Sequence, residues 1–348
     1  MGFKRLEAED FVVSAQAQTA TCWSNNVSSL TSFFTQSSQT QGASGQYYTT
    51  VYNADQGDNA ATAQFEIAYG NNLGGGALAF NENAAPGVSP TSTIYGQYRT
   101  LVLEDENSGF VFGGVSGSNI YALSIERAAY KESLFPGSLN LILQGDVGGT
   151  NSLVLTDNSQ MVTVPDYYGT TRAYQIISGS DGLAWNSAGG GDGYTTSNGS
   201  YGLFLPDIGT IILNGDALDL NTAEGINLGT IQTSNTAGDN NEKMFQAISA
   251  SDGPINPDFA LNSEETITSD FVFVRARNGE FNYSTNPSYI SGSTGEVVYN
   301  YFINNPQTYM TTVGLYNDAN DLLAVAKLSK PLNKDFTKEA LIRVKLDF

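Results

Sequence analysis

A mainly β fold with few short helices is what the sequence predicts, and three observations predict it. Short segments rich in Val, Ile, Thr, Tyr and Phe recur along the chain, several alternating with period two, as in residues 63–69 (AQFEIAY) and 268–277 (TSDFVFVRAR). Clusters of Gly, Pro, Asn, Asp and Ser separate them, Pro136-Gly137 being the strongest turn signal. Only two segments repeat apolar residues at helical spacing. The expected arrangement is β-sandwich-like sheets.

Taken in order, residues 11–14, 47–53 (YYTTVYN) and 63–69 predict strands, with the Ser/Gln/Gly/Thr stretch 36–46 as an exposed loop. Ser89 and Pro90 supply an N-cap and a first-turn proline, and Ile94, Tyr95, Tyr98, Leu101 and Val102 follow at helical spacing. This predicts a helix over 90–103 that packs Tyr95, Tyr98 and Leu101 against a sheet. Residues 110–112, 120–126 and 139–143 are the next predicted strands, with 153–156 and 161–164 as a further pair. A glycine-rich loop opens at Gly189, and residues 201–205 and 210–213 then read as strands joined through Pro206-Asp207. Residues 242–249 (EKMFQAIS) predict a short helix with Met244, Phe245 and Ile248 on one face. Strands over 268–277, 297–303, 309–316, 322–328 and 340–348 complete the chain, with Asn317–Asn320 a loop of hairpin length.

The length of 348 residues suggests about two domains. Composition shifts near residue 145, and no basic residue lies between Arg172 and Lys243. The predicted organisation is a discontinuous framework plus an insertion. Residues 1–144 form an N-terminal β-rich framework, 145–262 a β-rich insertion domain, and 263–348 a C-terminal β domain completing the framework. No repeat occurs at solenoid or propeller periods.

The chain has no histidine. This removes Ser–His–Asp and Cys–His nucleophilic catalysis and histidine-ligated zinc. Cys22 is the only cysteine, so no intrachain disulfide or all-cysteine zinc site can form, and it reads as a small buried hydrophobe. The 35 acidic and 15 basic residues give a net charge of −20, which repels nucleic acid and anionic membranes. Charged residues make up only 14% of the chain; Asn, Gln, Ser, Thr and Gly carry the polarity, as on many permanent assemblies and adhesive fibres. No apolar run of signal-peptide or membrane-spanning length is present.

Carboxylate chemistry survives these exclusions, and the clusters Glu104-Asp105-Glu106 and Glu264-Glu265 are its candidates. Both read as solvated loop residues. Asn53, Asp55 and Asp58, and Asn317, Asp318, Asn320 and Asp321, form oxygen-rich loops without the central Gly and final Glu of an EF-hand, so turn chemistry accounts for them. The glycine clusters at 74–76, 148–149 and 189–191 match no phosphate-binding pattern. No catalytic residue, cofactor or metal is therefore expected. The 19 Tyr and 18 Phe residues suit cores and subunit contacts. Lys327, Lys330, Lys334, Lys338, Arg343 and Lys345 place six cations in the last 22 residues, a patch that would complement an acidic neighbour, including another copy of this chain.

Three stretches of the last third, FVFVRARNGEFNYSTNP (271–287), NNPQTYMTTVGLYNDANDLLAVAKLSKPL (304–332) and KEALIRVKLDF (338–348), resemble virion structural proteins of contractile-tailed, cyanophage-like myoviruses, above all baseplate wedge subunits. SPTSTIYGQYRTLVL (89–103) and YKESLFPGSLNLIL (130–143) resemble the same family. The resemblance covers about half the chain and carries no active site. It implies a structural, non-enzymatic component of the tail baseplate that holds neighbouring subunits and takes part in triggering sheath contraction. Its partners would be other baseplate and tail proteins or further copies of itself. It would reside in the virion and, during assembly, in the host cytoplasm. A tail-fibre or receptor-binding module is the alternative, followed by a carboxylate-based glycan depolymerase and a capsid decoration protein.

Overall fold

The computed structural model describes residues 3–23, 34–35, 48–53, 59–76, 89–145, 152–185, 191–230, 239–249, 259–284 and 286–347. It is mainly β, 45% strand and 15% helix, with large antiparallel sheets and few short helices, as the sequence predicts. The longer strands are β1 (Phe11–Thr21), β2 (Tyr48–Tyr52), β3 (Ala63–Asn71), β4 (Asn119–Ile125), β5 (Asn140–Gln144), β6 (Ser152–Asp157), β7 (Thr171–Ser180), β8 (Gly202–Leu205), β9 (Thr210–Asn214), β10 (Asn262–Ala276), β11 (Thr308–Tyr316), β12 (Leu322–Lys334) and β13 (Ala340–Asp347). The α-helices are α1 (Pro90–Leu103), α2 (Gly215–Leu218), α3 (Asp239–Ser249) and α4 (Asn300–Asn304). The chain forms two compact units: a larger one of residues 18–265, and a smaller one of residues 1–17 with 266–348.

The larger unit is organised by one 12-stranded sheet in the order Phe259–Ala260, β5, β6, β7, β8, β9, β4, β3, β2, Phe34–Thr35, with Asp166–Tyr168 and Leu183–Ala184 added on β7. The boundary predicted at 144/145 falls inside this sheet. Leu143 of β5 pairs with Leu153 of β6, and Ile212 of β9 pairs with Ala122 of β4. Residues 145–262 therefore supply the middle of a shared sheet and are not a separate insertion domain. The shift in composition belongs to the connections, while the strands they join keep the apolar character of the rest.

The central strands are continuous apolar runs because both sheet faces are covered. In β4, Ile120 and Ala122 point to the face packed by Ile94, Tyr95 and Val102 of α1. Tyr121, Leu123 and Ile125 point to the other, which Met244, Ala247 and Ile248 of α3 cover. β8 and β9 alternate in the same way, with Phe204, Ile211 and Leu213 on the α3 side and Leu203, Leu205 and Ile212 on the α1 side. Each fully buried Ile, Leu or Phe side chain stabilises the fold by roughly 1.5–3 kcal/mol.

Helix α1 has the predicted bounds, but its buried stripe is rotated. Ile94, Tyr95 and Val102 are buried, Tyr98 shares a 2.9 Å hydrogen bond with Ser124, and Leu101 is 51% exposed. At about 100° per residue Leu101 falls about 20° beyond Ile94, at the outer edge of the stripe through 94, 95, 98 and 102. Ser89 occupies the N-cap in extended conformation, yet its hydroxyl donates to the Gly74 carbonyl instead of capping the helix. Gly70 of β3 permits the close approach of α1: a Cβ there would stand 2.9 Å from the Tyr95 backbone nitrogen.

Two predicted strands are replaced. Residues 161–164 form turns, initiated by the Met161 N–H donating to the Asn158 carbonyl, and β6 pairs instead with β7, which the sequence reading missed. Within 297–303 the chain forms α4, which buries Phe302 and stops before Pro306; Val298, Tyr299, Tyr301 and Ile303 remain exposed.

In the smaller unit β1, β10 and β13 lie side by side in that order. The hairpin of β11 and β12 packs on this sheet through Met310, Val313, Leu315, Ala326 and Leu328, against Val272, Ile342 and Val344. The core between the two layers is thin. Of the 51 buried hydrophobic residues described, six belong to this unit: Val272, Ala276, Phe302, Ala340, Ile342 and Val344.

Candidate functional site

Strand β13 alternates strictly, with Ala340, Ile342 and Val344 buried and Leu341, Arg343 and Lys345 exposed. Its antiparallel register with β10 sets Arg275 opposite Leu341, Phe273 opposite Arg343 and Phe271 opposite Lys345. Because paired residues point to the same side, these six side chains form one outward face. The Arg343 guanidinium stands 5.2 Å from the Phe271 ring centroid, so cation and aromatic are already organised together. Lys345 is tied to Asp347 at 2.8 Å, and this contact together with the Ser269 hydroxyl holds the Asp347 carboxyl below its usual range. Arg275 and Arg343 form no ion pair among the described residues.

The six predicted cations do not form one patch. Arg343 and Lys345 share the face just described. Lys327, opposite Thr312, projects from the hairpin's outer side with Leu323 and Val325, and Lys330 is exposed further along β12. Lys334 is fully buried, and its ammonium donates to Asn278 O at 2.8 Å, Asn282 Oδ1 at 2.9 Å and Asp335 O at 3.0 Å. Three donors meet three acceptors, so Lys334 ties β12 to the 278–282 loop and offers nothing to a partner. Lys338 pairs with Asp335 at 3.0 Å, and the Thr337 hydroxyl and this lysine pull the Asp335 carboxyl down to about 2. Arg275, Phe271 and Phe273 were missed as site residues. The alternation in FVFVRAR carried the signal, since it sets all three on one side of a strand.

Apolar exposure is concentrated in the same unit. Of the 29 large hydrophobic side chains exposed among the described residues, 18 belong to it, including Tyr309 at 64%, Leu323 at 67%, Val325 at 58% and Leu341 at 59%. It also holds ten of the fifteen Lys and Arg residues against eleven of the 35 Asp and Glu, which leaves it near neutral. The larger unit holds the other five cations and 24 carboxylates.

The larger unit contains a cleft of about 390 Å³ where Asn198, Asn214, Asp216 and Asp219 meet Val115 and Leu220. Its polar groups are largely engaged in holding the surrounding chain. The Asp216 carboxylate accepts from the Asn119 amide at 2.6 Å and the Ser118 N–H at 2.9 Å. Asp219 accepts twice from Thr230, through its N–H at 2.9 Å and its hydroxyl at 2.8 Å, while burial keeps its carboxyl above the usual range. Asn214 donates to the carbonyls of Asn198 and Ser200. These contacts fix α2 and its flanking turns. Asp157, also raised by burial, accepts from the Gly137 and Ser159 N–H groups and clamps the Pro136-Gly137 turn.

The remaining sequence candidates resolve individually. Glu104 and Glu106 are exposed after α1, and Asp105 accepts from the Asn107 N–H and the Ser108 hydroxyl, which lower its pKa. Glu264 lies in β10, paired with Ser133, and Glu265 contacts Lys131 at 3.5 Å. Asn317 and Asp321 hydrogen-bond to each other around the hairpin turn. Asn53 accepts from the Thr62 N–H, while Asp55 and Asp58 lie outside the described residues, as do residues 148–149 and 189–190. Asn71 Oδ1 accepts from the N–H groups of Leu73 and Gly75, making the 74–76 glycines part of a turn. Cys22 is buried, which pushes its thiol up to about 12. Among the described residues no three His, Cys, Asp or Glu side chains are grouped to hold a metal, and no helix is long and apolar enough to cross a membrane. Comparison with protein-family models, with curated proteins and with solved structures found no match.

Proposed function

We propose that this chain is a structural, non-catalytic subunit of a contractile phage tail, in the position of a baseplate wedge, and that it holds its neighbours through the smaller unit and takes part in triggering sheath contraction. The observation that carries the assembly reading is the burial imbalance of that unit. It buries six hydrophobic residues and exposes 18 large ones. Covering apolar surface that is left in water favours association. The tail placement rests on the sequence resemblance, whose three strongest stretches, 271–287, 304–332 and 338–348, all lie in the smaller unit.

Cross-linking mass spectrometry on purified particles from the source phage tests this reading. The expected result is peptides of this chain in the particle, with cross-links from Lys327, Lys330 or Lys345 to other tail proteins or to further copies. Absence from the particle, or a free chain that forms a stable elongated trimer binding host cells, would overturn it in favour of a fibre or another role.

A further inference from the structure

The geometry points to a head-to-tail contact between copies of this chain, in which the Arg275/Arg343 face of one copy docks on the acidic end of α1 in the next. The inference rests on the assembly reading above and names the partner of the same face.

The charge partition argues for a second copy. A cationic, aromatic face needs an anionic counterpart, and the larger unit supplies one with 24 carboxylates against five cations. Nucleic acid is disfavoured as the occupant because the whole chain carries −20 and the smaller unit is itself near neutral. Edge-strand pairing is disfavoured by the same residues, since Arg343 and Lys345 stand on β13 at the edge of its sheet, where charged side chains discourage strand addition.

Within the larger unit the C-terminal end of α1 presents such a surface. Glu104 and Glu106 stand there exposed, form no ion pair among the described residues, and have no basic residue in the last helical turn. The negative end of a 14-residue helix repels carboxylates, so this placement opposes local stability and favours an incoming cation. Beside them lies apolar surface. The Glu104 carboxylate sits over Gly169, in the turn that follows Asp166–Tyr168, and this segment exposes Tyr167 at 57% and Val164 at 68%. Arginine with Phe and Leu on one side faces glutamate with Tyr and Val on the other. Two different surfaces form such a contact, so it propagates into open chains or closed rings.

The test uses the full-length chain and two charge-reversal variants, Arg275→Glu with Arg343→Glu, and Glu104→Lys with Glu106→Lys. All four positions are exposed. Circular dichroism first verifies folding; a variant that misfolds is replaced by the corresponding Gln substitutions. Light scattering across concentration is expected to show the native chain growing beyond a dimer at about 0.05 M salt and dissociating at about 0.5 M. Each variant alone is expected to associate at least about tenfold more weakly. A mixture of the two is expected to regain growth beyond a dimer, because the two intact surfaces complement each other and the two reversed surfaces, acidic on one variant and basic on the other, complement each other by charge as well. Variants that associate as well as the native chain, or a mixture that stays monomeric, overturn the contact. A native chain that stays monomeric throughout yet is found cross-linked in particles also overturns it, while leaving the assembly reading intact.

Discussion

The two units of this chain use the same strand chemistry to opposite ends. In the larger unit β4, β8 and β9 bury both of their faces, and charge is excluded from the central strands. In the smaller unit β13 buries every second residue, and β1 is exposed along nearly its whole length. The larger unit has a core that sustains itself. The smaller one has two thin layers, with Leu341, Val325 and Tyr309 facing water. The difference is one of burial: one unit encloses its apolar side chains and the other leaves most of its large ones in water.

This contrast can be broken in order of expected size. Phe204 is fully buried between sheet and helix, and Phe204→Ala is expected to destabilise the larger unit by about 3–5 kcal/mol in urea unfolding. Gly70→Ala pushes a methyl into the Tyr95 backbone and is expected to cost about 1–3 kcal/mol in the same measurement. Lys334→Met removes three hydrogen bonds and strands Asn282 Oδ1 and two carbonyls; a loss of about 1–3 kcal/mol is expected, seen as faster proteolysis in the smaller unit only. Val325→Thr, on the exposed side of the hairpin, is expected to change the stability of the free chain by less than about 0.5 kcal/mol. An effect of core size there would erase the distinction.

Acid sharpens the comparison because the units respond with opposite sign. In the larger unit burial raises Asp157 and Asp219, so their contribution is fully present below the unfolded carboxylate value of about 4 and lost as pH rises through their raised folded values. In the smaller unit hydrogen bonds and lysines lower Asp335 to about 2 and hold Asp347 and Glu280 down. Their contribution is present above the unfolded value and lost as pH falls through the folded ones. Between about pH 5 and pH 2, amide exchange is expected to rise in β12 and β13 before it rises in β4 or β9.

Much of this was legible in the sequence, for physical reasons. Alternation in residues 268–277 and the apolar runs at 210–213 and 340–348 predicted strands, and the structure adds that the first and last bury one face while 210–213 is buried on both. β7 was not legible because its polar residues find tertiary partners. Arg172 forms a 2.6 Å ion pair with Asp207, and Gln175 accepts from the Ser200 hydroxyl. Leu101 was misassigned because it stands at the edge of the stripe, about 20° beyond the buried Ile94, where spacing alone does not separate covered from open. Arg343 and Lys345 were singled out from charge alone and are exposed, whereas Lys334 was misread because the oxygens that cage it include Asn278 and Asn282, more than 50 residues earlier in the chain.

The most direct test of the central claim is hydrogen exchange on the dilute full-length chain, read strand by strand, alone and after its neighbouring structural proteins are added. Amides of β4, β8 and β9 are expected to be the slowest. Those of β11, β12 and β13 are expected to exchange at least about tenfold faster in the free chain and to slow on assembly. Equal protection of the two units in the free chain, with no change when partners are added, would show that the smaller unit needs no partner and would contradict the account.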